Sequence, residues 1–155
     1  MIRVVLAVIL TVVLVGIAMP AIDHAAGVNS DRRVGSIAEQ FEQTAVALNE
    51  TEDLPPKGVR GPQRVLEVTF PTPSLTATSV LLFQIEREGT RGHSVLTYRV
   101  GGRPNRTVHI DAPVVSADGT DLELGRVSGH RTYIFRLGRV SSTRDPIVRV
   151  HRVGG

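Results

Sequence analysis

The chain has 155 residues, with 17 Arg, one Lys, seven Asp and eight Glu for a formal charge of +3, a length that fits one ordinary domain and excludes two. The absence of Cys rules out disulfide scaffolds, thiolate metal sites and thiol nucleophiles. No Trp, two Tyr and four Phe beside 23 Val make a β-forming composition with an aliphatic core.

Residues 4–22 read VVLAVILTVVLVGIAMPAI, nineteen uncharged positions interrupted only by Thr11, Gly16 and Pro20. As a helix this run is about 28 Å long at 1.5 Å per residue, which matches the roughly 30 Å of bilayer hydrocarbon. Residues 1–22 are therefore expected to be a transmembrane anchor or signal-anchor, with residues 4–22 in lipid. Arg3 precedes the run, so the positive-inside tendency predicts a single pass through the cell membrane, N-terminus cytoplasmic and the C-terminal domain outside. A cleaved signal peptide competes with the anchor. Met1-Ile2-Arg3 is a short basic start and Gly16-Ile17-Ala18 is a small-x-small site. Continuation of the apolar run through Ala21-Ile22 and Pro20 just past that site favour retention, and both readings export the remainder.

Residues 23–56 read as an amphipathic stalk helix and a turn. Gly27-Val28-Asn29-Ser30 are turn and N-cap residue types, and Val34, Ile37, Ala38, Phe41, Ala45 and Leu48 recur at helical spacing behind them. Ser36-Ile37-Ala38-Glu39 fits a capping box, leaving Ser30 and Ser36 as alternative starts. Pro55-Pro56 ends the pattern. The stripe Val34, Ile37, Phe41, Ala45 and Leu48 needs a partner, either the face of a sheet or the helices of neighbouring copies.

From residue 57 to 155 the period becomes two. Leu66/Val68/Phe70, Leu96/Tyr98/Val100 and Tyr133/Phe135/Leu137 alternate with polar or smaller residues, Val80–Ile85 is a further apolar run, and Val108/Ile110 and Val148/Val150 are shorter alternations. Asp118-Gly119 predicts a type I′ hairpin joining Val114-Val115 to Leu122 and Leu124. The expected fold is α+β: an N-terminal transmembrane helix continuing into an amphipathic helix, then an extracytoplasmic antiparallel sheet or small sandwich of about seven strands.

Chemistry has little support. His24, His93, His109, His130 and His151 are scattered, with no H-x-H, H-x-x-x-H or H-E-x-x-H spacing. G-x-S-x-G and the phosphate-binding loop are absent. No catalytic residue, cofactor or metal is expected, and the protein reads as a non-enzyme. Charge says more. Residues 31–123 hold ten basic and thirteen acidic side chains, whereas residues 124–155 hold seven Arg against one Asp. Arg126, Arg131, Arg136, Arg139, Arg144, Arg149 and Arg152 read as a basic interaction face for anionic lipid, an acidic surface polymer or an acidic neighbour. The bland alternative is a solvated sheet balanced by Glu67 and Glu86. Nucleic acid is disfavoured, because no aromatics interleave with the Arg residues. Asn49-Glu50-Thr51 and Asn105-Arg106-Thr107 are N-glycosylation sequons.

An apolar start, a continuing helix and a β domain together resemble the lollipop plan of type IV pilins and pseudopilins. More narrowly, MIRVVLAVIL, LTYRV, HIDAPV, HRTYIFRL and the preference for Arg over Lys resemble a haloarchaeal family of small N-terminally membrane-anchored proteins associated with type IV pilus- and type II secretion-like gene clusters. The expected departure from processed pilins is that no cleavable basic leader precedes the apolar run and no Glu lies early within it. The resemblance thus implies an accessory or minor component of such an assembly, with other membrane or surface proteins as partners. The alternative is a secreted or tethered β domain that binds a carbohydrate or acidic cell-surface ligand.

Overall fold

One helix, α1 (Ile2–Thr51), carries the first third of the chain without interruption. The computed structural model describes residues 2–56, 58–89, 92–140 and 145–154. Residues 2–25 of α1 are exposed on every side, and burial begins at Ala26. In the exposed half the Thr11 hydroxyl donates to the Ala7 carbonyl at 2.8 Å, so the one polar side chain of residues 4–22 is satisfied inside the helix. Pro20 lacks the amide that would bond the Gly16 carbonyl, yet α1 continues through it.

The apolar helix continues into the amphipathic one as expected, and neither alternative start, Ser30 or Ser36, caps a helix of its own. A Ser side chain caps a helix only where backbone amides lack carbonyls one turn earlier, and here the preceding turn supplies them. The polar groups serve elsewhere: Ser30 Oγ accepts the Thr78 amide at 2.8 Å, and the Ser36 carbonyl accepts Gln40 Nε2 at 3.2 Å.

Eight strands follow, one more than the periodicity suggested: β1 (Gln63–Phe70), β2 (Val80–Glu88), β3 (His93–Val100), β4 (Arg106–Ile110), β5 (Val114–Ser116), β6 (Leu122–Glu123), β7 (Gly129–Arg139) and β8 (Pro146–Val153). They form two four-stranded sheets, the first in the order β1-β7-β8-β5 and the second in the order β4-β3-β2-β6. All pairings are antiparallel except β5 with β8, which is parallel. No crossover helix is needed there, because the chain between β5 and β8 passes through β6 in the other sheet and returns along β7. The expected hairpin at Asp118-Gly119 is therefore corrected. Gly119 does turn the chain at φ 90°, with its amide on the Ser116 carbonyl at 3.1 Å. However, β5 bonds to β8 and β6 to β2, so that Val114 and Leu122 bury against different sheets.

The second half of α1 fills the space between the sheets, touching β1, β7 and β8 of the first and β3 and β4 of the second. Val34, Phe41, Ala45 and Leu48 are fully buried and Ile37 is nearly so. Of the two partners left open for this stripe, the domain's own sheets take it. The Phe41 ring meets Phe83 of the second sheet at 5.2 Å, and Tyr133 and Phe135 of the first at 5.0 and 5.3 Å, all edge to face. Such pairs add about 0.5–1.5 kcal/mol each beyond the area they bury. Past the helix, Gly61 lets the chain entering β1 lie against β7, where a Cβ would overlap the Leu137 carbonyl.

Phe41→Ala is expected to destabilise the domain by about 3–5 kcal/mol, measured by urea unfolding of the full chain in detergent micelles. Leu10→Ala, in the exposed half of α1, should leave the same transition unmoved.

Candidate functional site

Three segments converge where α1 passes from its exposed half into the domain. On α1, Ala26, Gly27, Ser30 and Asp31 continue the buried stripe one and two turns before Val34, so two polar residues stand where the period calls for apolar ones. The β1–β2 loop (residues 71–79) bonds to the first part of this patch: Asn29 Nδ2 donates to the Thr76 carbonyl at 3.1 Å, and the Thr78 amide donates to Ser30 Oγ at 2.8 Å. The β3–β4 loop (residues 101–105) closes on the second part. Asp31 Oδ2 lies 3.0 Å from Arg106 Nη2 and 3.9 Å from Arg103 Nη2, with the Asp31 side chain 8 % exposed. The Arg103 stem lies beside the helix at Gly27, with Arg103 Cδ 3.6 Å from where a Cβ would stand, an ordinary contact distance. Residues 26–31 are thus a collar that ties both loops to the helix. Sequence reasoning passed over Asp31; the available signal was a carboxylate on the core-facing stripe, since buried charge demands a cationic partner.

The six C-terminal Arg residues among the described ones do not form one face, because strand alternation and position divide them. Tyr133, Phe135 and Leu137 point inward, so Arg136 points outward, and its cross-strand neighbour is the likewise outward Arg149. Arg131 and Arg152 share the inward parity and lie at the end of the first sheet, beside the Tyr133 hydroxyl. Arg139 is at the opposite end, with Nε donating to the Pro55 carbonyl at 3.0 Å. Arg126 is exposed in the segment between β6 and β7. Arg144 falls outside the described residues. Among the described residues none of the other six forms an ion pair with a carboxylate. Glu67 is in the first sheet opposite Thr132, and Glu86 is in the second, where Gln84 Nε2 donates to it at 2.9 Å.

The sequons differ in setting. Asn49 lies in the last turn of α1, half-buried, with its Oδ1 enclosed, whereas Asn105 is exposed in the β3–β4 loop. The histidines stay apart, and among the described residues no three His, Asp or Glu side chains are grouped to hold a metal ion. Beside β5, Ser116, Asp118, Thr120, Asp121, Glu123 and Arg152 line an open groove. The Ser116 hydroxyl, with Thr120, holds the Asp118 carboxyl below its usual range. These contacts hold the turn.

Both tyrosines report on the core. Burial, aided by the Asp31 charge, raises the Tyr98 phenol. Burial pushes Tyr133 up to about 12 against the opposing pull of Arg152 and Arg131. A phenol whose pKa is higher in the folded state than its unfolded value near 10.0 contributes stability that is complete below that value and lost as pH rises through the folded one. Ultraviolet titration of the native protein should therefore show tyrosinate only above the ordinary range, and Tyr133→Phe should remove the later step. Asp31→Asn should cost about 1–2 kcal/mol, a value reduced because Arg106 is half exposed. Amide exchange should rise in residues 76–78 and 101–105 while the sheet interiors stay protected.

α1 is the one helix among the described residues long and apolar enough to cross a membrane, and its exposed half fits a single-pass anchor. No curated protein and no solved structure matches the chain. A family model does match, over residues 1–153, the span from the exposed helix through the last strand. The chain thus belongs to the family described as a domain of unknown function (DUF7311).

Proposed function

We propose that this chain is a non-enzymatic, singly anchored extracytoplasmic protein that serves as an accessory or minor component of a pilus-like or secretion-like surface assembly. Its N-terminus lies in the cytoplasm and its β domain stands outside the cell membrane. The observation that carries the reading is the division of labour within α1. One unbroken rod is apolar and exposed over its first half and forms the core of a β domain over its second. A domain mounted on such a rod presents the outer faces of its sheets sideways, toward neighbours anchored in the same membrane. This is the arrangement of the pilin-like lollipop.

The outward side of the first sheet is the docking surface in this reading. Arg136 and Arg149 face each other across β7 and β8, and like charges directly opposite one another weaken a sheet. An acidic partner surface relieves that repulsion and gains charge-assisted hydrogen bonds, which guanidinium groups make in pairs.

Native membranes solubilised in mild detergent supply the test. The chain should migrate in a complex well above its own 16.7 kDa. Arg136→Glu combined with Arg149→Glu should release it as a single chain that still fractionates with membranes. Identical migration of wild type and variant at the size of the lone chain would sink the proposal.

A further inference from the structure

We propose that the collar end of the β domain rests on the headgroups of the bilayer that holds α1, with Leu75 reaching into the headgroup layer and Arg32 and Arg33 facing lipid phosphates. The inference rests on the anchor reading of residues 4–22. Because α1 is unbroken, height above the hydrocarbon can be counted along it. Asn29 is seven residues beyond Ile22, about 10 Å at 1.5 Å per residue, and the headgroup layer occupies roughly 5–8 Å on each side of the hydrocarbon. A group held level with Asn29 and directed back along the helix reaches that layer with its side chain.

The β1–β2 loop is held in this way. Thr78 bonds to Ser30 and Thr76 to Asn29, so the loop steps toward the exposed half of α1 as it nears its tip. Leu75 is the next residue, at the tip of a tight turn closed by the Ser74 amide on the Ala77 carbonyl at 2.8 Å and the Ala77 amide on the Ser74 carbonyl at 3.4 Å. Its side chain is 83 % exposed, within a domain whose other Leu side chains lie buried or partly so. One exposed Leu on a surface is ordinary. At the tip of a hydrogen-bonded turn next to the bilayer, it inserts at little cost in ordering.

The charge around it fits an anionic lipid surface. Arg32 and Arg33 are exposed on α1, and Arg103 and Arg106 flank the same level. Of the carboxylates here, Asp31 is taken by Arg103 and Arg106, and Asp23 sits one residue past the apolar run. Four guanidinium groups thus stand against two carboxylates. Basic side chains are attracted to an anionic lipid surface within a Debye length of it.

The chain contains no Trp, so Leu75→Trp introduces a single fluorophore at an exposed position that should tolerate it. The full chain is reconstituted in phosphatidylcholine vesicles containing phosphatidylglycerol, with lipids brominated near the glycerol end of the acyl chain. Blue-shifted emission and loss of intensity with the brominated lipid are expected, with greater loss when phosphatidylglycerol is present. Water-like emission indifferent to bromine would overturn the proposal. So would a blue shift without quenching, which reports a protein contact, and equal quenching with and without phosphatidylglycerol would remove the arginine part. Leu14→Trp in the same vesicles separates the two readings. If bromine deep in the acyl chains leaves Leu14→Trp unquenched, the anchor itself fails; if it quenches Leu14→Trp while Leu75→Trp stays in water, the loop contact alone fails.

Discussion

Phe41 stands between Phe83 in one sheet and Tyr133 and Phe135 in the other, and the contact distances of these four rings set how far apart the sheets can be. The rings of Phe70 in β1 and Phe83 in β2 also meet across the sheets at 5.3 Å, and β5 lies against β2 and β6. On the opposite side, where β1 and β4 are the edge strands, α1 enters and its small and large residues alternate to fill the gap, Ala38 and Ala45 beside Ile37, Phe41 and Leu48. A helix in this place also shields the inner sides of both edges, which would otherwise be open to pairing with other chains. The strands supply hydrogen bonds and curvature, but one helical stripe closes the core.

That constraint couples the domain to whatever surrounds residues 2–25. A linker would have let the β domain tumble; a helix continuing without a break into the core fixes the domain's height and heading. The polar collar strengthens the coupling at its most exposed point. Asp31 is costly to bury alone, but its two Arg partners come from the β3–β4 loop and the first residue of β4, so the charge is compensated only when that connection sits correctly on the helix. Ser30 and Asn29 do the same for the β1–β2 loop through backbone groups, which makes the contact independent of side-chain identity on the loop. The collar is thus a registration device between helix and sheets, placed where the chain leaves the apolar run.

The arginines show how secondary structure redistributes a sequence-level bias. Seven in the last 32 residues look like a patch when written in a line. A strand sends alternate residues to opposite faces, and β7 and β8 are antiparallel, so residues distant in the sequence become neighbours while residues close in it are separated. Arg136 and Arg149 meet across strands, Arg131 and Arg152 gather near the Tyr133 hydroxyl, and Arg139 turns to the Pro55 carbonyl.

Local patterns in the sequence were sufficient for the elements themselves. The uncharged run to Ile22, the helical stripe ending at Leu48 and the two-residue alternations at Leu66, Leu96 and Tyr133 follow from periodicities that each segment carries alone. Three decisions lay beyond that range. Whether residues 27–30 cap a helix or continue one depends on the turn before them and the loops that bond to them. Whether Asp118-Gly119 joins partners or merely reverses the chain depends on which sheet has room for Val114 and which for Leu122. The role of Asp31 depends on Arg103 and Arg106, more than seventy residues away. Each of these is settled by competition for burial and for hydrogen-bond partners between distant segments, and only the assembled core holds that information.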